Sequence, residues 1–195
     1  VLVGSRVVTE RVDGRAFRVA TDDFWQVHRA AAPTLVHTVL EFLQPQPGES
    51  ALDLYCGVGL FAGALIDAGC GPVMGVDANR TAIGLARRNV PQGRFLATSI
   101  SRAGRSLPRH SDLVVLDPPR TGAGRVVLGE VLRRNPRAVC YVACDPAALA
   151  RDVATAAALG YRLTRLVGWD MFPMTHHVEA VALLERAPVG EPELA

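Results

Sequence analysis

The chain has 195 residues, 49% of them hydrophobic, and a formal net charge of +2 at pH 7. That supports one sizeable core in a single domain, while no apolar run approaches the ~20 residues of a membrane-spanning helix and no signal peptide is visible. Cys56, Cys70, Cys140 and Cys144 form no C-x-x-C pair or disulfide scaffold, and so small a net charge does not announce a nucleic-acid partner by itself.

In chain order, residues 5–20 alternate about a turn at Val12-Asp13-Gly14-Arg15 and read as a hairpin. A helix over 28–43 ends at Pro45-Gln46-Pro47-Gly48. Strands are expected near 50–55, 72–77, 93–97, 112–117, 137–143, 161–169 and 177–185. Helices alternate with them near 60–68, 79–89, 124–134 and 146–159. Arg102, Arg105 and Arg109 read as a loose, solvated basic loop. The pattern predicts an α/β fold, a doubly wound Rossmann-like sheet of about seven strands with a hairpin and helix lead-in. Residues 1–45 form the lead-in, 46–187 the main domain, and 188–195 a tail expected to be disordered.

Four strand ends carry chemistry. Ala51-Leu52-Asp53-Leu54-Tyr55-Cys56-Gly57-Val58-Gly59 is a strand followed by a tight glycine turn. Glycines let a backbone approach a cofactor closely, but the spacing of Gly57, Gly59 and Gly63 is not the dinucleotide fingerprint. Asp53 before such a turn is typical of S-adenosylmethionine sites. The next strand ends in Asp77, where an acid can accept hydrogen bonds from both ribose hydroxyls. A third strand ends in Asp117-Pro118-Pro119-Arg120, whose prolines stop the ladder and stiffen the loop.

The fourth strand end is Val142-Ala143-Cys144-Asp145-Pro146. Asp145 reads as an N-cap and Pro146 as the first helical position. Cys144 is thus expected at the carboxyl edge of the sheet beside a helix N-terminus, a setting that lowers a thiol pKa. The alternative is a buried inert cysteine. Glu179 stands near the start of the apolar run Val178-Glu179-Ala180-Val181-Ala182-Leu183-Leu184, where burial would raise its pKa toward that of a useful base. The alternative for Glu179 is a solvated acid at a strand end.

Over residues 24–184 the sequence resembles the RNA (uracil-5-)-methyltransferases. The resemblance rests on Phe24-Trp25-Gln26-Val27-His28, the glycine turn, Asp117-Pro118-Pro119-Arg120, Cys144 through Asp152, and Asp170 through Glu179. It implies a class I methyltransferase fold with S-adenosylmethionine as cofactor. Gln26, Asp53, Tyr55, Gly57, Gly59, Asp77 and Asp117 would hold the cofactor, with Asp117 between it and the base. Arg120 would face the substrate, Cys144 would be the nucleophile and Glu179 the base, and no metal is implied. The chain departs from the pattern at Leu60, where Asn is frequent, at Thr98 and Ser99, where an acid is frequent, and at Asp145, where Asn is frequent.

The resemblance implies 5-methyluridine formation in RNA through a covalent Cys–C6 intermediate, with 23S rRNA favoured over tRNA. C5 of uracil is a poor nucleophile until a thiolate adds at C6, which splits one hard step into easier ones. The expected partner is RNA, in a cytoplasmic monomer. Family members usually carry an N-terminal RNA-binding β-barrel and a central domain, often with an iron–sulfur cluster. The sequence is therefore read as a C-terminal catalytic fragment or a shortened relative. Two alternatives stay open: methylation of another RNA base, or a non-catalytic cofactor- or RNA-binding module.

Overall fold

The computed structural model describes residues 4–175 and 177–187. The expected tail and His176 lie outside the described residues. A hairpin of β1 (Val7–Val12) and β2 (Arg15–Ala20) leads into helix α1 (Ala31–Leu43). There follow β3 (Ala51–Leu54), α2 (Leu60–Asp67), β4 (Val73–Asp77), α3 (Arg80–Asn89) and β5 (Arg94–Ala97). A short α4 (Ile100–Ala103), a 3-10 turn (Gly104–Ser106), β6 (Leu113–Leu116), α5 (Gly124–Leu132) and β7 (Ala138–Ala143) come next. The described chain closes with α6 (Pro146–Ala157), β8 (Tyr161–Trp169) and β9 (Glu179–Arg186).

The seven main strands form one sheet in the order β5-β4-β3-β6-β7-β9-β8. Strands β3 to β7 run parallel, and β9 enters antiparallel between β7 and β8. The central strands are continuous apolar runs because helices cover both faces. One face packs Ala51, Val73, Leu113, Val115 and Cys140 against α1, α2 and α3. The other packs Leu52, Leu54, Val76, Val114, Leu116 and Tyr141 against α5 and α6. All six residues of β7 are buried, each large apolar side chain contributing roughly 1.5–3 kcal/mol.

The hairpin is part of the same body. Asn89 at the end of α3 donates to the Arg18 and Val58 carbonyls and accepts from the Arg18 amide. Arg15 pairs with Asp67 on α2 and donates to the Asn89 carbonyl. Two expectations need correction. Helix α1 begins at Ala31, not at His28, because the His28 carbonyl accepts from the Ala31 amide in a turn and the His28 side chain accepts from the Ala30 amide. The segment read as a basic loop holds a helical turn, anchored by buried Ile100 and Ala103, which leaves Arg102 and Arg105 exposed.

Candidate active site

The strand order reverses on either side of β3, and the crevice outside the carboxyl ends of such strands is where open α/β sheets bind ligands. Tyr55, Asp77, Asp117 and Cys144 all follow or end parallel strands at this edge. Glu179 reaches the same edge from the opposite direction. Ala143 pairs with Ala180 at the end of the antiparallel ladder, so Cys144 and Glu179 are the next residues outward at this edge.

The glycine turn is built by backbone geometry. Gly57 and Gly59 lie at φ +50° and +91°, where side chains are strained. A Cβ on Gly57 would meet nothing within 4 Å, so its missing side chain leaves open space above the turn. Asp53 is fully buried and its Oδ2 accepts from the Ala62 amide at 2.8 Å. This caps the first turn of α2, whose own N-cap is Gly59 with no side chain to give. Asp53 Oδ1 is buried without a partner. Asp77 Oδ2 accepts from the Gly57 amide at 2.9 Å and its Oδ1 from the Asn79 amide at 2.8 Å.

The lead-in closes over this turn. Trp25 lies against Phe17, ring centroids 5.9 Å apart, and Gln26 Nε2 stands 3.5 Å from Asp117 Oδ2. Asn79 donates to Asp23 Oδ1 at 2.8 Å and caps α3 through the Thr81 and Ala82 amides. Phe24, Trp25, Gln26, Tyr55, Gly57, Val58 and Asp117 share a narrow concavity of about 40 Å3. Asn79 was not among the expected site residues, although Asn before a helix is a legible N-cap signal, and Trp25 entered only as part of the lead-in motif. Thr98 donates its amide to the Asp77 carbonyl at 2.8 Å, which places the hydroxyl-bearing segment beside Asp77.

Electrostatics set the protonation states. Burial, with the negative charge of Asp77 adding to it, pushes Asp53 up to about 7, against the Ala62 amide. Asp117 rises to about 8 through burial and through Glu179, Asp53 and Asp77. Glu179 is raised by burial and pulled back by Arg120. Arg120 stands 3.4 Å from His177 Nε2, and His177 meets Phe172 edge-on.

The expectation of a lowered thiol pKa at Cys144 is corrected. Its pKa is raised, first by burial and then by Glu179 and Asp117, with Arg120 opposing. A backbone amide also opposes the rise at Cys144, while Asp145 caps α6 by accepting from the Ala148 amide at 2.7 Å. The expected N-cap and N1 proline are both present. Cys144 is half-buried, whereas Cys56, Cys70 and Cys140 are buried.

A stability consequence follows from Asp53. Its folded pKa lies above its unfolded value, so its contribution is complete below about pH 4 and is lost as pH rises toward 7. Asp53→Asn removes this titration while keeping an acceptor for Ala62. Between pH 5 and 8 the ligand-free wild type is expected to lose roughly 2–3 kcal/mol relative to Asp53→Asn. Denaturant unfolding at the two pH values checks this, and an equal pH dependence in both proteins would contradict it.

Residues 108–187 match the sequence model of the tRNA (uracil-5-)-methyltransferase family. An uncharacterized RNA methyltransferase of Streptomyces avermitilis is 47% identical over 96% of this chain and 45% of its own length. One from Thermosynechococcus vestitus is 38% identical over 94% of this chain and 42% of its own. The crystal structure of Pyrococcus abyssi tRNA (uracil-54, C5)-methyltransferase in complex with S-adenosyl-L-homocysteine superposes with a TM-score of 0.80, at 35% identity, covering 93% of this chain and 45% of that one. A Listeria monocytogenes methyltransferase at 12% identity and TM-score 0.67 shares the fold alone. The chain spans under half the length of these first relatives.

Proposed function

This chain is a relative of the RNA (uracil-5-)-methyltransferases, and from that premise we propose that it transfers a methyl group from S-adenosylmethionine to C5 of a uridine in RNA, with 23S rRNA favoured over tRNA. The observation that supports the reading is the register of β7 against β9, whose last pair is Ala143–Ala180, with Cys144 and Glu179 the next residues outward and Glu179, Asp117 and Arg120 all acting on the half-buried Cys144 thiol. Methyl transfer to an exocyclic amine needs no such cysteine.

The residues present fit the cofactor. Asp77 offers a carboxylate at the end of β4, Gly57 leaves open space over the turn, and Asp53 has an orphaned buried oxygen. Gln26, Asp53, Tyr55, Gly57, Gly59, Asp77 and Asp117 would hold it. S-adenosylmethionine, when bound, supplies an electrophilic methyl group.

The chain's own residues do the rest. Cys144 Sγ, as thiolate, adds to C6 of uracil, and the C5=C6 electron pair moves to form an enolate. That enolate makes C5 nucleophilic. After C5 is methylated, Glu179 takes the C5 proton. The C5–H pair re-forms C5=C6 and Cys144 leaves as thiolate. Burial raises the Glu179 pKa toward that of a base suited to neutral pH, while Arg120 keeps it ionisable. Asp117, raised to about 8, is protonated at neutral pH and can donate a hydrogen bond.

The test is nucleoside mass spectrometry of RNA treated with the full-length protein and S-adenosylmethionine. 5-Methyluridine is expected, and methylcytidine or no product would overturn the reading. In calorimetry Asp77→Ala is expected to weaken S-adenosylmethionine binding by about 1–3 kcal/mol, the cost of unpaired buried polar groups, and Gln26→Ala by less. Unchanged affinity in both would move the cofactor elsewhere.

A further inference from the structure

The Asp117–Arg120 loop is fastened at its far end by a buried pair outside the reacting groups. Tyr141 on β7 is 1% exposed and Asp152 on α6 is 5% exposed. The Tyr141 hydroxyl donates to Asp152 Oδ2 at 2.6 Å. The Ala123 amide donates to that same oxygen at 2.7 Å and to the Tyr141 hydroxyl at 3.0 Å. The Gly124 amide donates to both carboxylate oxygens at 3.2 Å.

Helix α5 has no cap of its own, because its N-cap is Ala123. Its first amides are instead satisfied by a carboxylate on another helix. Gly122 sits at φ +83°, and a Cβ there would lie 2.7 Å from Asp152 Oδ2, so the backbone is pressed onto the carboxylate. The Gly122 amide also donates to the Pro119 carbonyl at 2.8 Å. Arg120 is therefore held between two stiff prolines and a clamped glycine.

We propose that Tyr141 and Asp152 form a positioning clamp that locks the Arg120 loop to α6, the helix starting beside Cys144, and so places the Arg120 cation where Cys144 and Glu179 feel it. Asp152 is a positioning residue, not a catalytic one. The proposal rests on the reading of Cys144 and Glu179 as the reacting pair. The acidic and basic side chains facing the Cys144 thiol are Glu179 on β9 and, on the clamped loop, Arg120 and Asp117, the last raised to about 8. Arg120 is the one cation among them, and with a backbone amide it favours the thiolate, so its placement adjusts how much thiolate exists.

The test uses the folded protein without RNA or cofactor. The rate of Cys144 alkylation by iodoacetamide is followed against pH by peptide mass spectrometry, since only the thiolate displaces iodide. Arg120→Ala is expected to slow alkylation at pH 7.5 about 2–10-fold and to move its midpoint upward. Asp152→Asn, with the same shape but one lost acceptor, is expected to shift the midpoint in the same direction. The double variant should shift little further. Tyr141→Phe keeps the Asp152 bonds to the amides and should shift less.

A folded Asp152→Asn with the wild-type midpoint overturns the clamp, as do full additivity with Arg120→Ala or an unshifted Arg120→Ala. Should Asp152→Asn fail to fold, a wild-type midpoint in Tyr141→Phe overturns it equally. A purely structural role would lower the melting temperature and leave every midpoint in place. Failure of the wild type to methylate uridine would end the proposed function, whereas these midpoints judge the clamp separately.

Discussion

Glu179→Gln is expected to halt the reaction after methyl transfer, leaving the protein covalently joined to methylated RNA. Glutamine preserves the shape of the side chain but cannot take a proton. On the proposed route, addition of Cys144 and methylation at C5 do not need Glu179, so both should proceed. On that route loss of the C5 proton does need it, and without that loss the C–S bond cannot break. A general base is worth roughly 10²–10⁴ in rate, so turnover should fall by about that factor. The measurement is a denaturing gel with radiolabelled methyl groups, which should show label on a protein–RNA band. Normal turnover, or a stall before methyl transfer, would assign the base elsewhere, with Asp117 or one of His176 and His177 next in line. Burial already raises Glu179, and its partner Cys144 lies one step out from the Ala143–Ala180 pair.

Cys144→Ala is expected to abolish turnover by several orders of magnitude, the scale seen when a covalent nucleophile is deleted, and to leave no covalent complex. The fold should survive, because Cys144 is half-buried at a strand end and the Asp145 cap and N1 proline of α6 remain. Cys56→Ala is the control. Its side chain is buried in the glycine turn, where burial raises the thiol far from reactivity, so at most a modest loss of activity is expected. A steady-state methylation assay separates the two. Retained activity in Cys144→Ala would leave the route through C6 without its nucleophile.

Much of the architecture was legible because parallel strands buried on both faces are unbroken apolar runs. Ala138–Ala143 and Leu113–Leu116 announce themselves that way. The Asp145-Pro146 helix start was equally plain, since an N-cap acid and N1 proline act locally. What stayed hidden depends on contacts across the fold. Asp152 carries no local signal, because its partners are Tyr141, eleven residues away, and the Ala123 and Gly124 amides, 29 and 28 away. The thiol pKa was misjudged for a related reason. The helix N-terminus is a local feature, whereas the burial of the thiol, and after it the carboxyl groups of Glu179 and Asp117, come from the rest of the fold. Leu60 shows the same limit: α2 takes its cap from Asp53 on the preceding strand rather than from its own first residues.

The most direct measurement is a covalent-trapping experiment with RNA carrying 5-fluorouridine, full-length protein and S-adenosylmethionine. Fluorine at C5 cannot leave as a proton, so once Cys144 has added and C5 is methylated the complex cannot resolve. A protein–RNA adduct stable to denaturation is expected, and digestion followed by mass spectrometry should place the modified uracil on the peptide containing Cys144. Absence of any adduct from a preparation that actively methylates uridine, or an adduct mapped to another cysteine, would contradict the assignment of Cys144 as nucleophile.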